Sequence, residues 1–96
     1  MTNPKGKTIL VVDDEEDIRE FLSTVLEDAG FMVQTASDGQ EALERVGKQI
    51  PDLISVDLVM PKKSGLEFLD ELRRRPEWVG IPALVVTSHA HDDMGK

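Results

Sequence analysis

Three acidic positions could do chemistry in this chain: the pair Asp13-Asp14, and Asp57. Each follows a run of branched apolar residues. Thr8-Ile9-Leu10-Val11-Val12 leads into Asp13-Asp14, and Leu53-Ile54-Ser55-Val56 leads into Asp57. Short runs rich in Val and Ile, separated by helical patterns, predict buried strands of a parallel sheet. Ligands of such sheets bind at the carboxyl ends of the strands. Carboxylates gathered at one edge repel each other unless a cation sits between them. With no Cys in the chain and no paired His among them, these oxygen donors favour a hard ion, Mg²⁺ before Zn²⁺. A third run, Ala83-Leu84-Val85-Val86, ends in Thr87-Ser88 and brings two hydroxyls to the same edge. A carboxylate beside Mg²⁺ and a hydroxyl donor is suited to accept a phosphoryl group, because the metal neutralises the transferring charge and the carboxylate acts as nucleophile.

The elements that must position these residues follow from periodicity. Residues 1–7 form a polar tail, and the first strand is predicted over Thr8 to Val12. A helix is predicted from Glu15 to Ala29, with Ile18, Phe21, Leu22, Val25, Leu26 and Ala29 on one face, and Gly30 ending it. Met32 to Ala36 is the second strand. Ser37-Asp38-Gly39-Gln40 has the form of a capping box opening a short helix through Ala42, Leu43 and Val46. Ser64-Gly65-Leu66-Glu67 has the same form, with Leu66, Leu69 and Leu72 as the inward face of a third helix that Pro76 stops. The fourth strand is predicted over Ile81 to Val86, and the polar end, 89–96, is expected to be mobile.

Composition narrows the function classes. Ninety-six residues make one domain, with 40% hydrophobic residues and a formal net charge of -8. That acidity argues against nucleic-acid binding, which needs clustered Lys and Arg. Lys62-Lys63 and Arg73-Arg74-Arg75 are short enough to be a loop and the basic last turn of a helix. No apolar run reaches membrane-spanning length and no signal-peptide core opens the chain, so the cytoplasm is the expected compartment. His89, His91, Asp92 and Asp93 match no common zinc spacing and are expected to be a solvated tail. Trp78 is expected to be a lid over the core.

Several segments together resemble the receiver domain of two-component response regulators. They are Ile9-Leu10-Val11-Val12-Asp13-Asp14-Glu15, Ala36-Ser37-Asp38-Gly39-Gln40-Glu41-Ala42-Leu43, and Pro51-Asp52-Leu53-Ile54-Ser55-Val56-Asp57-Leu58-Val59-Met60-Pro61, with Gly65 and Ile81-Pro82-Ala83-Leu84-Val85-Val86-Thr87. They occur in family order and cover nearly the whole chain up to about Ala90. The resemblance implies that Asp57 is the phosphorylated aspartate. It implies Asp14 and Asp57 as direct Mg²⁺ ligands, the backbone carbonyl of Val59 as a third, Asp13 acting through water, and Thr87 as the switch hydroxyl. It also implies a sensor histidine kinase or phosphotransfer protein as donor.

Strands alternating with helices, like the resemblance, predict an α/β flavodoxin-like, doubly wound parallel sheet in the order 2-1-3-4. Asp13, Asp14 and Asp57 then end the two strands that flank the switch point. Family members carry a fifth strand, with a lysine at its end, and a fifth helix. This sequence shows neither, and Lys96 follows a polar stretch instead of a strand. Their absence predicts self-association through the fourth strand or the uncovered sheet face, and with no output domain in the sequence, signalling to a downstream protein by contact is expected.

Taken singly, these aspartates have blander explanations, as acidic residues at a helix start or in a turn. A phosphatase of the haloacid dehalogenase type also uses an aspartate after a strand. It needs a second acid two positions on, where this chain has apolar Val59. A receiver-like adaptor or dimerisation module without phosphorylation is the other alternative. In no case but the phosphatase is a turnover enzyme expected.

Overall fold

The computed structural model describes residues 6–57 and 65–86. Strands β1 (Thr8–Val12), β2 (Met32–Ala36), β3 (Leu53–Val56) and β4 (Ala83–Val85) alternate with helices α1 (Glu16–Asp28), α2 (Gly39–Lys48) and α3 (Gly65–Arg74). All strand pairs among the described residues are parallel, and the order is β2-β1-β3-β4, as in the flavodoxin-like expectation. The central pair is in register with Val12 opposite Val56, so the residues that follow each strand, Asp13 and Asp57, emerge side by side.

The two faces of the sheet are covered unequally. Strand side chains alternate between faces. On one face Leu10, Val12, Ile54 and Val56 join Ala42 and Val46 of α2 and Phe68 and Leu72 of α3 in a fully buried core, which Trp78 partly covers as a lid. Phe68 is the largest side chain in it, and its removal would cost about 3–5 kcal/mol at such a site. On the opposite face α1 is the one helix among the described residues, and none of its residues is fully buried. Leu53 and Ser55 of β3, which point that way, are only half-buried.

The helix faces differ in part from the predicted ones. In α1 the stripe that meets the sheet is Ile18, Leu22 and Leu26, at four-residue spacing, and all three are half-buried. Phe21 is 65% exposed, and Val25 and Ala29 are exposed with it. These three lie on the flank, which a single helix on a sheet cannot bury without a second element beside it. In α3 the inward residues are Phe68 and Leu72, while Leu66 is exposed and Leu69 half-buried. The predicted stripe was offset because Phe68, not Leu66, sits one turn from Leu72. Ser64 lies outside the described residues.

Local signals set the helix ends. Gly30, with φ 105, closes α1 in a left-handed turn: its N–H donates to the Glu27 carbonyl and that of Phe31 to the Leu26 carbonyl. The cap of α2 is Asp38 and not Ser37. Asp38 Oδ1 accepts from the Glu41 N–H at 2.9 Å, and Glu41 Oε1 accepts from both the N–H and the hydroxyl of Ser37 at 2.8 and 2.9 Å. An aspartate is as good a cap as a serine, and Glu41 then falls at the third helical position, where a reach-back carboxylate belongs. Strand β4 begins at Ala83 instead of Ile81. Pro82 has no N–H to give to a ladder, and the Ile81 N–H is used in the preceding turn by the Trp78 carbonyl.

Candidate metal centre

The backbone ladder continues one residue past β1, β3 and β4 at the carboxyl edge. The Asp57 N–H donates to the Val12 carbonyl at 2.9 Å, that of Asp13 to the Ala36 carbonyl at 3.1 Å, and that of Val86 to the Val56 carbonyl at 2.9 Å. The ends of β1, β2, β3 and β4 are thus held together by main-chain bonds, and the position of the acidic side chains is set by the sheet. Asp57 is 1% exposed and Asp13 4% exposed, while Asp14 is half-buried at the rim.

Asp13, Asp14 and Asp57 each place a carboxylate oxygen within 4.8 Å of the other two. Hard oxygen donors at this separation suit a divalent cation of the Mg²⁺ class and offer nothing to a thiophilic metal. The electrostatic cost of assembling them shows at Asp13. Burial raises its pKa above the ordinary carboxylate value, with Asp57, Asp14 and Glu15 adding repulsion and the Glu15 N–H opposing it. That N–H donates to Asp13 Oδ1 at 2.9 Å. A cation between these oxygens would remove the repulsion without disturbing the ladder.

The structure brings together three of the residues predicted for the site, Asp13, Asp14 and Asp57. Val59 and Thr87 lie outside the described residues, as do His89, His91 and Lys96. One participant escaped the sequence reading. Arg19 Nη1 donates to the backbone carbonyl of Asp13 at 2.7 Å. Its signal was available in principle: helical side chains lean toward the helix N-terminus, so a long basic residue in the first turns of α1 can reach the loop before it.

A family model described as the response regulator receiver domain matches residues 9–96. The chain belongs to that family. It is 45% identical over 83 residues to the alkaline phosphatase synthesis transcriptional regulatory protein PhoP of Bacillus subtilis, a match covering 86% of this chain and 34% of that protein. To the phosphate regulon transcriptional regulatory protein PhoB of Pseudomonas aeruginosa it is 40% identical over 88 residues, covering 92% of this chain and 38% of that protein. It therefore spans well under half the length of either relative. The N-terminal domain of a response regulator receiver protein from Methanoculleus marisnigri has a crystal structure that superposes with a TM-score of 0.82 at 33% identity, covering 95% of this chain and 78% of that one. Receiver domains of response regulators are signalling modules that typically bind Mg²⁺ at an acidic pocket, and this chain has an acidic cluster of Asp13, Asp14 and Asp57.

Proposed function

We propose that this receiver domain takes a phosphoryl group onto Asp57 from the phosphohistidine of a sensor histidine kinase or phosphotransfer protein. The observation that carries the proposal is the convergence of Asp13, Asp14 and Asp57 within 4.8 Å at the ends of β1 and β3. Asp14 and Asp57 would hold Mg²⁺ directly, with Asp13 acting through water and the Val59 carbonyl completing the set. When bound, Mg²⁺ neutralises charge on the transferring phosphoryl group. A carboxylate oxygen of Asp57 attacks phosphorus in line. The new O–P bond forms as the N–P bond of the donor breaks, and the electron pair returns to the imidazole nitrogen. Burial of Asp57 at the sheet edge limits access of water to the aspartyl phosphate. Thr87, directly after Val86 in sequence, is proposed as the hydroxyl that turns toward the phosphoryl group.

The phosphorylated state would then be read by a downstream protein through surface contact. No described helix is long and apolar enough to cross a membrane, and the proposed compartment is the cytoplasm.

The test is incubation with a small-molecule phosphodonor and Mg²⁺, followed by intact-mass measurement. A gain of one phosphoryl group is expected. It should disappear in Asp57→Asn and in the presence of EDTA. Absence of the gain in the unmodified chain would favour an adaptor module that does not use phosphorylation.

A further inference from the structure

The Asp13-Asp14 segment is short and carries two of the three clustered carboxylates, so something must fix its path. Three hydrogen bonds converge on Asp13. Its N–H donates to Ala36 of β2, its Oδ1 accepts from Glu15, and its carbonyl accepts from Arg19. The first ties the segment to the sheet and the second shapes its turn. The third joins a side chain of α1 to this segment, and at 2.7 Å it is a short, charge-assisted bond. Arg19 itself is half-buried and lines an open groove with Glu16, Glu20, Ser23, Thr24 and Thr35. Shortening it therefore opens no enclosed void in the core.

We propose that Arg19 is a positioning residue for the carboxylate cluster. Its guanidinium holds the Asp13 carbonyl, and through it the turn that aims Asp14 at the site shared with Asp57. The inference rests on the reading of that cluster as a Mg²⁺ site. Partners that orient ligand-bearing groups from behind tune metal affinity even though they never touch the ion.

Charge and geometry here push in opposite directions, which makes the role measurable. A cation beside an acidic cluster repels Mg²⁺, so removing its charge alone would tighten binding. Removing a positioning contact would weaken it. Mg²⁺ binding is to be measured by calorimetry on the folded 96-residue chain, alongside Arg19→Met and Arg19→Lys. Arg19→Met keeps the apolar stem and loses the donor, and roughly two- to tenfold weaker binding is expected, the range one hydrogen bond supports. Arg19→Lys keeps a donor of a single bond and should recover most of the loss. A purely structural role would lower the unfolding temperature in EDTA yet leave the Mg²⁺ affinity of the folded protein unchanged. Unchanged or tighter binding in Arg19→Met would overturn the inference, as would failure of Arg19→Lys to recover affinity. Absence of Mg²⁺ binding in the unmodified chain is a different outcome: it removes the metal reading itself, and this inference with it.

Discussion

Replacing Asp13 by Asn should make the metal-free protein more stable and less responsive to Mg²⁺. Asn keeps the shape of the side chain and an oxygen to accept the Glu15 N–H, while the Asp13 main-chain bonds to Ala36 and Arg19 are untouched. Only the charge is lost. The carboxylate oxygens of Asp13, Asp14 and Asp57 lie within 4.8 Å of one another. Two like charges at that distance cost roughly 3.5 kcal/mol at an effective dielectric of about 20, and about 1 kcal/mol in water. Asp13 is buried but Asp14 is half-buried, and the Arg19 cation on the Asp13 carbonyl offsets part of the repulsion. A net gain of about 1–3 kcal/mol is therefore expected for Asp13→Asn in EDTA. In a chain of 96 residues each kcal/mol moves the midpoint by roughly 4–8 °C.

Mg²⁺ should narrow that gap. Ligand at a hundred times its Kd stabilises the folded state by about 2.7 kcal/mol. The unmodified chain would receive the larger share, because it brings three charges to the ion instead of two. Thermal or urea unfolding with EDTA and with saturating Mg²⁺, on both proteins, gives the four values needed. The reasoning is refuted if Asp13→Asn is no more stable than the parent in EDTA, or if Mg²⁺ stabilises both equally.

Two further outcomes follow from the structure. Hydrogen bonds from the Ser37 backbone, ahead of those from its hydroxyl and from Arg45, hold the Glu41 carboxyl below the ordinary carboxylate range. A depressed folded pKa contributes stability above the usual value near 4.5 and loses it as pH falls through the folded one. Glu41→Gln should therefore be less stable at neutral pH, by under about 1 kcal/mol because its side chain is 36% exposed, and the gap should close in acid, as the pH falls through the folded value. Urea unfolding at neutral and acidic pH checks this, and a gap that persists in acid contradicts it. At the sheet edge, Leu84, Val85 and Val86 are 56, 45 and 42% exposed. Self-association through β4 is expected to show as a mass that rises with concentration in light scattering and falls back in Leu84→Lys, whereas a concentration-independent monomer mass rules it out.

The central strands were legible in the sequence because their signal is redundant. Val, Ile and Leu fill both faces of β1, which only a strand covered on both sides requires. The acids at their ends broke the apolar pattern so sharply that strand end and candidate site were read from the same residues. Periodicity served the helices less well. It finds the apolar residues of α1 but not which of them a neighbour will reach, so Phe21 and Val25 were grouped with Ile18, Leu22 and Leu26. The offset of α3 has the same origin: Leu66 and Phe68 are equally apolar, and packing against α2 decides between them. Capping erred by one residue because Ser37 and Asp38 are both competent caps, and the choice depends on where Glu41 can reach.

Arg19 was missed for a different reason, and the reason bears on how the site works. Its contact is to a carbonyl, a group every residue carries, so no pair of residue types announces it. The same is true of the ladder bonds that place Asp57 on Val12 and Asp13 on Ala36. The chemistry-bearing side chains are visible in the sequence, but what aims them is almost entirely main chain. That division has a consequence for substitutions. Changes at Asp13, Asp14 or Asp57 alter the charge of the cluster and leave its frame standing, since the frame is made of backbone bonds between buried strands. Changes at Arg19 leave the charge of the carboxylates intact and loosen the frame at a side-chain strut. Metal affinity measured beside metal-free stability separates the two: the first class should move them in opposite directions, the second in the same direction.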